Sequence, residues 1–93
     1  MKVPNELLTR YLERRKQDLE DCKRSFETKN FVFIQRVGHQ LKGNGVTFGH
    51  PELSRIGNKL EDAALLKDLL QVDKALKDFA YWVKDNTNLN SSL

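Results

Sequence analysis

The chain has 93 residues, 16 of them basic and 13 acidic, with one cysteine and a net charge of +3. This suits a single domain spanning 1–93 with one modest core, and it excludes an internal disulfide framework. The charge excess is mild, and Arg14, Arg15, Lys16, Lys23 and Arg24 are interrupted by Asp18, Glu20 and Asp21. That pattern reads as a solvated helix face rather than a phosphate-binding stripe, so no nucleic-acid partner is expected. No apolar run approaches the roughly 18 residues of a membrane span. Met1-Lys2-Val3-Pro4 leads into charged residues rather than a signal-peptide apolar region. With a lone thiol, a cytoplasmic location away from membranes is expected.

Four helices are predicted, in chain order. The first runs from about Asn5 to Glu27, with Asn5 as a candidate N-cap after Pro4 and Leu8, Leu12, Leu19, Cys22 and Phe26 recurring at three- and four-residue steps. Arg15 interrupts that stripe. The second begins at Asn30, another capping residue, and runs to about Phe48, where Gly49 offers a stop. A rival reading takes Phe31-Val32-Phe33-Ile34 as a strand and Asn44-Gly45 as a hairpin turn. The return strand would be only Val46-Thr47-Phe48, and a lone short hairpin among helices is marginal in water, so the helix is preferred. Pro51 suits the first turn of a third helix with Leu53, Ile56, Leu60 and Ala64 inward. Asp68 and Gln71 resemble a capping box that opens a fourth, with Leu69, Val72, Leu76, Phe79 and Val83 inward. The polar tail Asn86–Leu93 is expected to fray, leaving about 5–85 as the ordered bundle.

On a helical wheel of the second helix, at about 100° per residue, Phe33, Ile34, Val37, Leu41 and Phe48 form one apolar face. His39 falls almost diametrically opposite. Gln35, Arg36, Lys42 and Gly43 flank it at three or four positions, the spacing that makes helix neighbours. Lys42 is placed to reach an anion held on the imidazole through a charge-assisted hydrogen bond. Gly43 leaves the surface beside the ring bare. Val32 and Val46, seven residues either side of His39, are predicted to be exposed and in line with it, as part of a docking surface.

Three glycines in one helix, Gly38, Gly43 and Gly45, each cost about 1 kcal/mol relative to alanine. Close approach of another backbone is the usual compensation. Gly38 and Gly45 lie toward the flanks of the core face, where neighbouring helices could pack. Gly43 lies on the histidine face, where the approaching body would have to be a partner. The other reading is that the segment is broken or not helical.

An exposed imidazole is a competent nucleophile near neutral pH and can form a covalent phosphoryl intermediate. The remaining apparatus of a phosphoryl-transfer catalyst is not legible: there is no phosphate-cradling loop, carboxylate cluster for Mg²⁺ or nucleotide motif. The pattern is that of a carrier, not an enzyme with its own kinase or metal site. Ser25, Ser54 and Cys22 show no spacing that ties them to a histidine as a hydrolase triad would require. A zinc site would need His39 with His50, which Gly49 and Pro51 place in a different element, so no metal ligands are assigned. His50 reads as a loop or cap residue, and Tyr81 and Trp82 as helix-end packing.

The run His39, Leu41, Lys42, Gly43, Asn44-Gly45 and Gly49, followed by Leu53, Ile56 and Leu60-Glu61, resembles the histidine phosphotransfer domains of two-component phosphorelays. The specific likeness covers about Asn30 to Ala64, and the flanking helices agree only in pattern. It implies an all-α, antiparallel up-down four-helix bundle with the phospho-accepting His39 exposed on the second helix. It implies phosphoryl exchange between His39 and the aspartate of a receiver domain, in a response regulator or hybrid histidine kinase. Lys42 would support the phosphohistidine, Gly43 would admit the receiver, and Gln35 and Arg36 would be contacts. Mg²⁺ would sit on the receiver, with no cofactor on this chain. Some members carry glutamine where Glu61 stands, and an ionised acid cannot donate a hydrogen bond there, so Glu61 is left out of the site. The main alternative function is a receiver-binding helical module without phosphotransfer. A weaker one is a nucleic-acid binder using Arg14 and Arg15. A monomer is expected, since nothing in the sequence requires a dimer.

Overall fold

The computed structural model describes residues 5–91, and the side chains of residues 5–87. These form four helices: α1 (Asn5–Glu27), α2 (Phe31–Thr47), α3 (Pro51–Leu65) and α4 (Leu69–Ser91). No strand occurs among the described residues, and Asn44 and Gly45 lie inside α2 rather than in a hairpin turn. Asn5 is the first residue of α1, and Pro4 lies outside the described residues.

One corner design is used three times. Asn30 N–H bonds the Ser25 carbonyl and Lys29 N–H that of Phe26; His50 N–H bonds Gly45 and Gly49 N–H Val46; Asp68 N–H bonds Ala63 and Lys67 N–H Ala64. This is the Schellman pattern, which satisfies the last carbonyls of a helix through a left-handed residue. That residue is Lys29 (φ 57°), Gly49 (φ 82°) and Lys67 (φ 55°) in turn. The next residue then stands at the start of the following helix. Asn30 accepts from Phe33 N–H at 3.2 Å and Asp68 from Gln71 N–H at 3.1 Å, whereas His50 makes no side-chain cap bond. Of the three corners, only the glycine one is signalled by its composition.

The helices form a closed ring of neighbours, α1–α2–α3–α4–α1, with the most extensive contact between α2 and α3. The core holds the predicted stripes: Leu12, Leu19 and Cys22; Ile34, Val37 and Leu41; Leu53, Ile56, Leu60 and Ala64; Val72, Leu76, Phe79 and Val83. Phe33 and Phe48 are half-buried at its edge. Burial of these side chains stabilises the fold by about 1.5–3 kcal/mol for each large one, before the entropy of ordering the chain is subtracted.

Some sequence expectations about the helices need correction. Arg15 does not interrupt the buried stripe of α1; it is buried within it, with its guanidinium over the Tyr11 ring and its Nε 2.8 Å from Asp18, also buried. The Nε–H is not aligned for a hydrogen bond, so this is an ion pair by proximity. The guanidinium is tolerated because an aromatic face and a carboxylate meet it. Leu69 is 44% exposed rather than inward, because it stands in the first turn of α4, beyond the core. The last helix, α4, is assigned to Ser91, within the segment Asn86–Leu93 that the sequence reading expects to fray. Asn86 and Thr87 donate to the Trp82 and Val83 carbonyls, which replaces solvent as their partner. The remainder of that tail, 92–93, lies outside the described residues.

An aromatic cluster closes one end of the bundle. Tyr11 stacks on Phe48 at 4.1 Å and on the His50 ring at 6.2 Å, and His50 meets Trp82 edge-on at 5.0 Å. Tyr11 Oη donates to Asn44 Oδ1 at 2.6 Å, tying α1 to α2. Tyr81, paired with Trp82 in the sequence reading, is instead exposed.

Candidate functional site

The α2–α3 contact decides what surrounds His39. A Cβ added to Gly38 would lie 2.6 Å from Glu61 N and 2.8 Å from the Gly57 carbonyl oxygen. One added to Gly57 would lie 2.5 Å from Lys42 N, and one on Gly45 would lie 2.7 Å from Ser54 N. These are backbone atoms, so no rotamer change could relieve the clash. The two helices are antiparallel here, with Gly38 against Glu61 and Gly45 against Ser54, and they approach as closely as glycine permits. Ser54 Oγ uses the gap to accept from Val46 N–H at 2.9 Å.

This approach delivers Glu61 to His39. Glu61 Oε2 lies 2.8 Å from His39 Nδ1, and its other oxygen lies 3.7 Å from Lys42 Nζ. The His39 side chain is 73% exposed and that of Glu61 only 18%. A carboxylate only accepts hydrogen bonds, so in a neutral ring this pairing favours the tautomer with the proton on Nδ1 and the lone pair on Nε2. Glu61 therefore serves as a bracket that holds the ring by one oxygen and draws the lysine with the other.

Sequence reasoning leaves Glu61 out of the site, because it asks only whether an acid can donate to a phosphoryl oxygen. The structure shows the acid accepting from the far side of the ring instead. A signal for this is present in Gly38, next to His39, and Gly57, one turn before Glu61: two glycines marking a close helix crossing.

The other predicted residues fall as follows. Lys42 pairs with the Glu61 oxygen that does not meet His39. Val32, Arg36, Gly43 and Val46 are exposed, with Val32 at 67% and Val46 at 63%. Among the described residues nothing lies within 4 Å of where a Gly43 Cβ would stand. Gln35 is half-buried. Among the described residues neither Gln35 nor Arg36 makes a side-chain hydrogen bond or ion pair with the His39–Glu61–Lys42 group.

Other titratable groups lie elsewhere. Cys22 is fully buried, and burial, followed by the charges of Asp18 and Asp21, pushes its thiol up to about 12. Burial lowers the His50 imidazole below its ordinary range and raises the Tyr11 phenol. No group of three or more His, Cys, Asp or Glu side chains among the described residues is placed to hold a metal ion. No described helix is long and apolar enough to cross a membrane. Arg15, which a nucleic-acid reading would need, faces inward.

Among curated proteins and among solved structures, nothing matches the chain at significance. The family model described as the Hpt domain matches residues 6–89, nearly the whole length and all four helices. Within the matched span His39 is exposed on the second of the four helices, with Lys42 and Gly43 one turn along from it. The chain belongs to the Hpt domain family, the phosphotransfer modules of two-component signalling.

Proposed function

We propose that the chain carries a phosphoryl group on His39 Nε2, to and from the aspartate of receiver domains in a cytoplasmic phosphorelay. The observation that carries this is the Nδ1–Glu61 contact on a side chain that is 73% exposed, which in the neutral ring leaves Nε2 as the nucleophilic nitrogen. The Nε2 lone pair attacks phosphorus of a receiver's aspartyl phosphate. The P–Nε2 bond forms, the P–O bond breaks, and the aspartate leaves as a carboxylate. Nδ1 keeps its proton and its bond to Glu61 throughout, so no base has to act. The reverse step hands the group to a second receiver.

In this reading Lys42 shifts from Glu61 toward the phosphoryl oxygens as their charge arrives. An ammonium–phosphoryl hydrogen bond is stronger than a neutral one. Gly43 gives the receiver its closest approach, Val32 and Val46 frame the docking face, and Gln35 and Arg36 are its polar contacts. Mg²⁺ is supplied by the receiver. The three-residue connections 28–30, 48–50 and 66–68 suit an up-down bundle, in which such a face runs along α2 and α3.

The test is incubation with a receiver domain bearing labelled aspartyl phosphate. Acid-labile label should appear on this chain and not on its His39→Gln variant. A chain that binds receivers but never takes label would support a binding module without transfer. Label on the His39→Gln protein would refute the site.

A further inference from the structure

The third corner of the bundle carries a surface that the phosphotransfer reading does not use. Residues 65–70 read Leu-Leu-Lys-Asp-Leu-Leu, and all six are exposed. Leu65, Leu66, Leu69 and Leu70 are 61, 76, 44 and 66% exposed, four large apolar side chains within six residues. Exposed apolar side chains gathered together, rather than scattered singly, are the kind of surface that interaction sites use. Its charges sit at the centre, and neither Lys67 nor Asp68 has an ion-pair partner among the described residues. One Asp68 oxygen caps α4 through Gln71 N–H, and the other accepts no hydrogen bond among the described residues.

The segment is a near-palindrome. A twofold axis requires a patch to complement itself, so that residue i meets j and j meets i. An axis through the Lys67–Asp68 peptide would set Lys67 of one copy against Asp68 of the other, twice. The same axis would set Leu65 against Leu70 and Leu66 against Leu69. Every apolar residue meets an apolar one, and every charge meets its opposite.

We propose that this corner is a homodimer contact, its occupant a second copy of the same chain in antiparallel register. It differs from the monomer expected from the sequence alone, and the two are told apart by the oligomeric state. The contact is small, in the class below about 1,200 Å² that supports weak association. Self-association should therefore be concentration-dependent.

The experiment is sedimentation of the full chain from micromolar to about millimolar concentration, with Leu65→Lys and Leu70→Glu as single variants and as a mixture. Both side chains lie on exposed helix turns, and helical circular dichroism checks that each variant is folded. Each variant alone should associate at least tenfold more weakly than the parent. Mixing them sets the introduced lysine of one copy against the introduced glutamate of the other across the axis, and should restore association to within a few-fold. The proposal is overturned if the parent stays monomeric throughout. It is equally overturned if the mixture associates no better than its components, or if the two substitutions weaken binding of a receiver domain while self-association is absent.

Discussion

Replacing Gly38 with alanine tests the link from helix packing to the reactive ring. Alanine is the better helix former by about 1 kcal/mol, so on propensity alone the variant should be more stable. Its Cβ, however, would stand 2.6 Å from Glu61 N and 2.8 Å from Gly57 O. Both are backbone atoms of α3, so the helices must part by a large fraction of an ångström along their closest contact. Overpacking of this kind typically costs about 1–3 kcal/mol, and rigid backbone on both sides puts this site at the upper end. Net destabilisation of about 1–2 kcal/mol should lower the melting temperature by roughly 4–16 °C in a domain this size. The same displacement carries Glu61 away from His39, whose 2.8 Å contact has little margin before it ceases to be a hydrogen bond. Thermal unfolding measures the first effect. The ¹⁵N shifts of the His39 ring, which report how the proton is divided between Nδ1 and Nε2, measure the second. A Gly38→Ala protein as stable as the parent, with unchanged ring shifts, would show that the close crossing does not position the site.

Further outcomes follow from other residues. Gly43→Ala meets nothing and should stabilise α2 by about 0.5–1 kcal/mol, while a bulky Gly43→Gln should slow label transfer from a receiver without unfolding the chain. Glu61→Ala removes the acceptor for Nδ1–H, and with a hydrogen bond worth about 1 kcal/mol should slow single-turnover phosphorylation roughly fivefold; Glu61→Gln, whose amide oxygen still accepts, should retain most of the rate. Because burial lowers the folded-state pKa of His50, protons bind the unfolded chain more readily. Its contribution to stability is therefore complete above the unfolded value of about 6.5 and declines as pH falls below it. Urea midpoints between about pH 7.5 and 5 should show this slope, and His50→Asn should flatten it. Cys22, buried and with its thiol pushed up to about 12, should resist alkylation in the folded chain and react only as denaturant unfolds it.

Sequence periodicity alone determined the four helices and most of their inward faces, because apolar side chains at three- and four-residue steps bury together whatever their neighbours. It also determined which side of α2 carries His39, Lys42 and Gly43, since a wheel needs only the helix. Tertiary structure decided the rest. Arg15 is inward because Tyr11 and Asp18 receive its guanidinium, and no local rule assigns a buried side to an arginine. Lys29 and Lys67 take left-handed backbone because the corner geometry demands it, where composition pointed only to Gly49. Glu61, 22 residues from His39, could not be assigned to the ring from spacing, because the pairing depends on how closely two helices cross. That distance is set by the absence of side chains at Gly38 and Gly57, a packing fact that exists only once α2 and α3 have met.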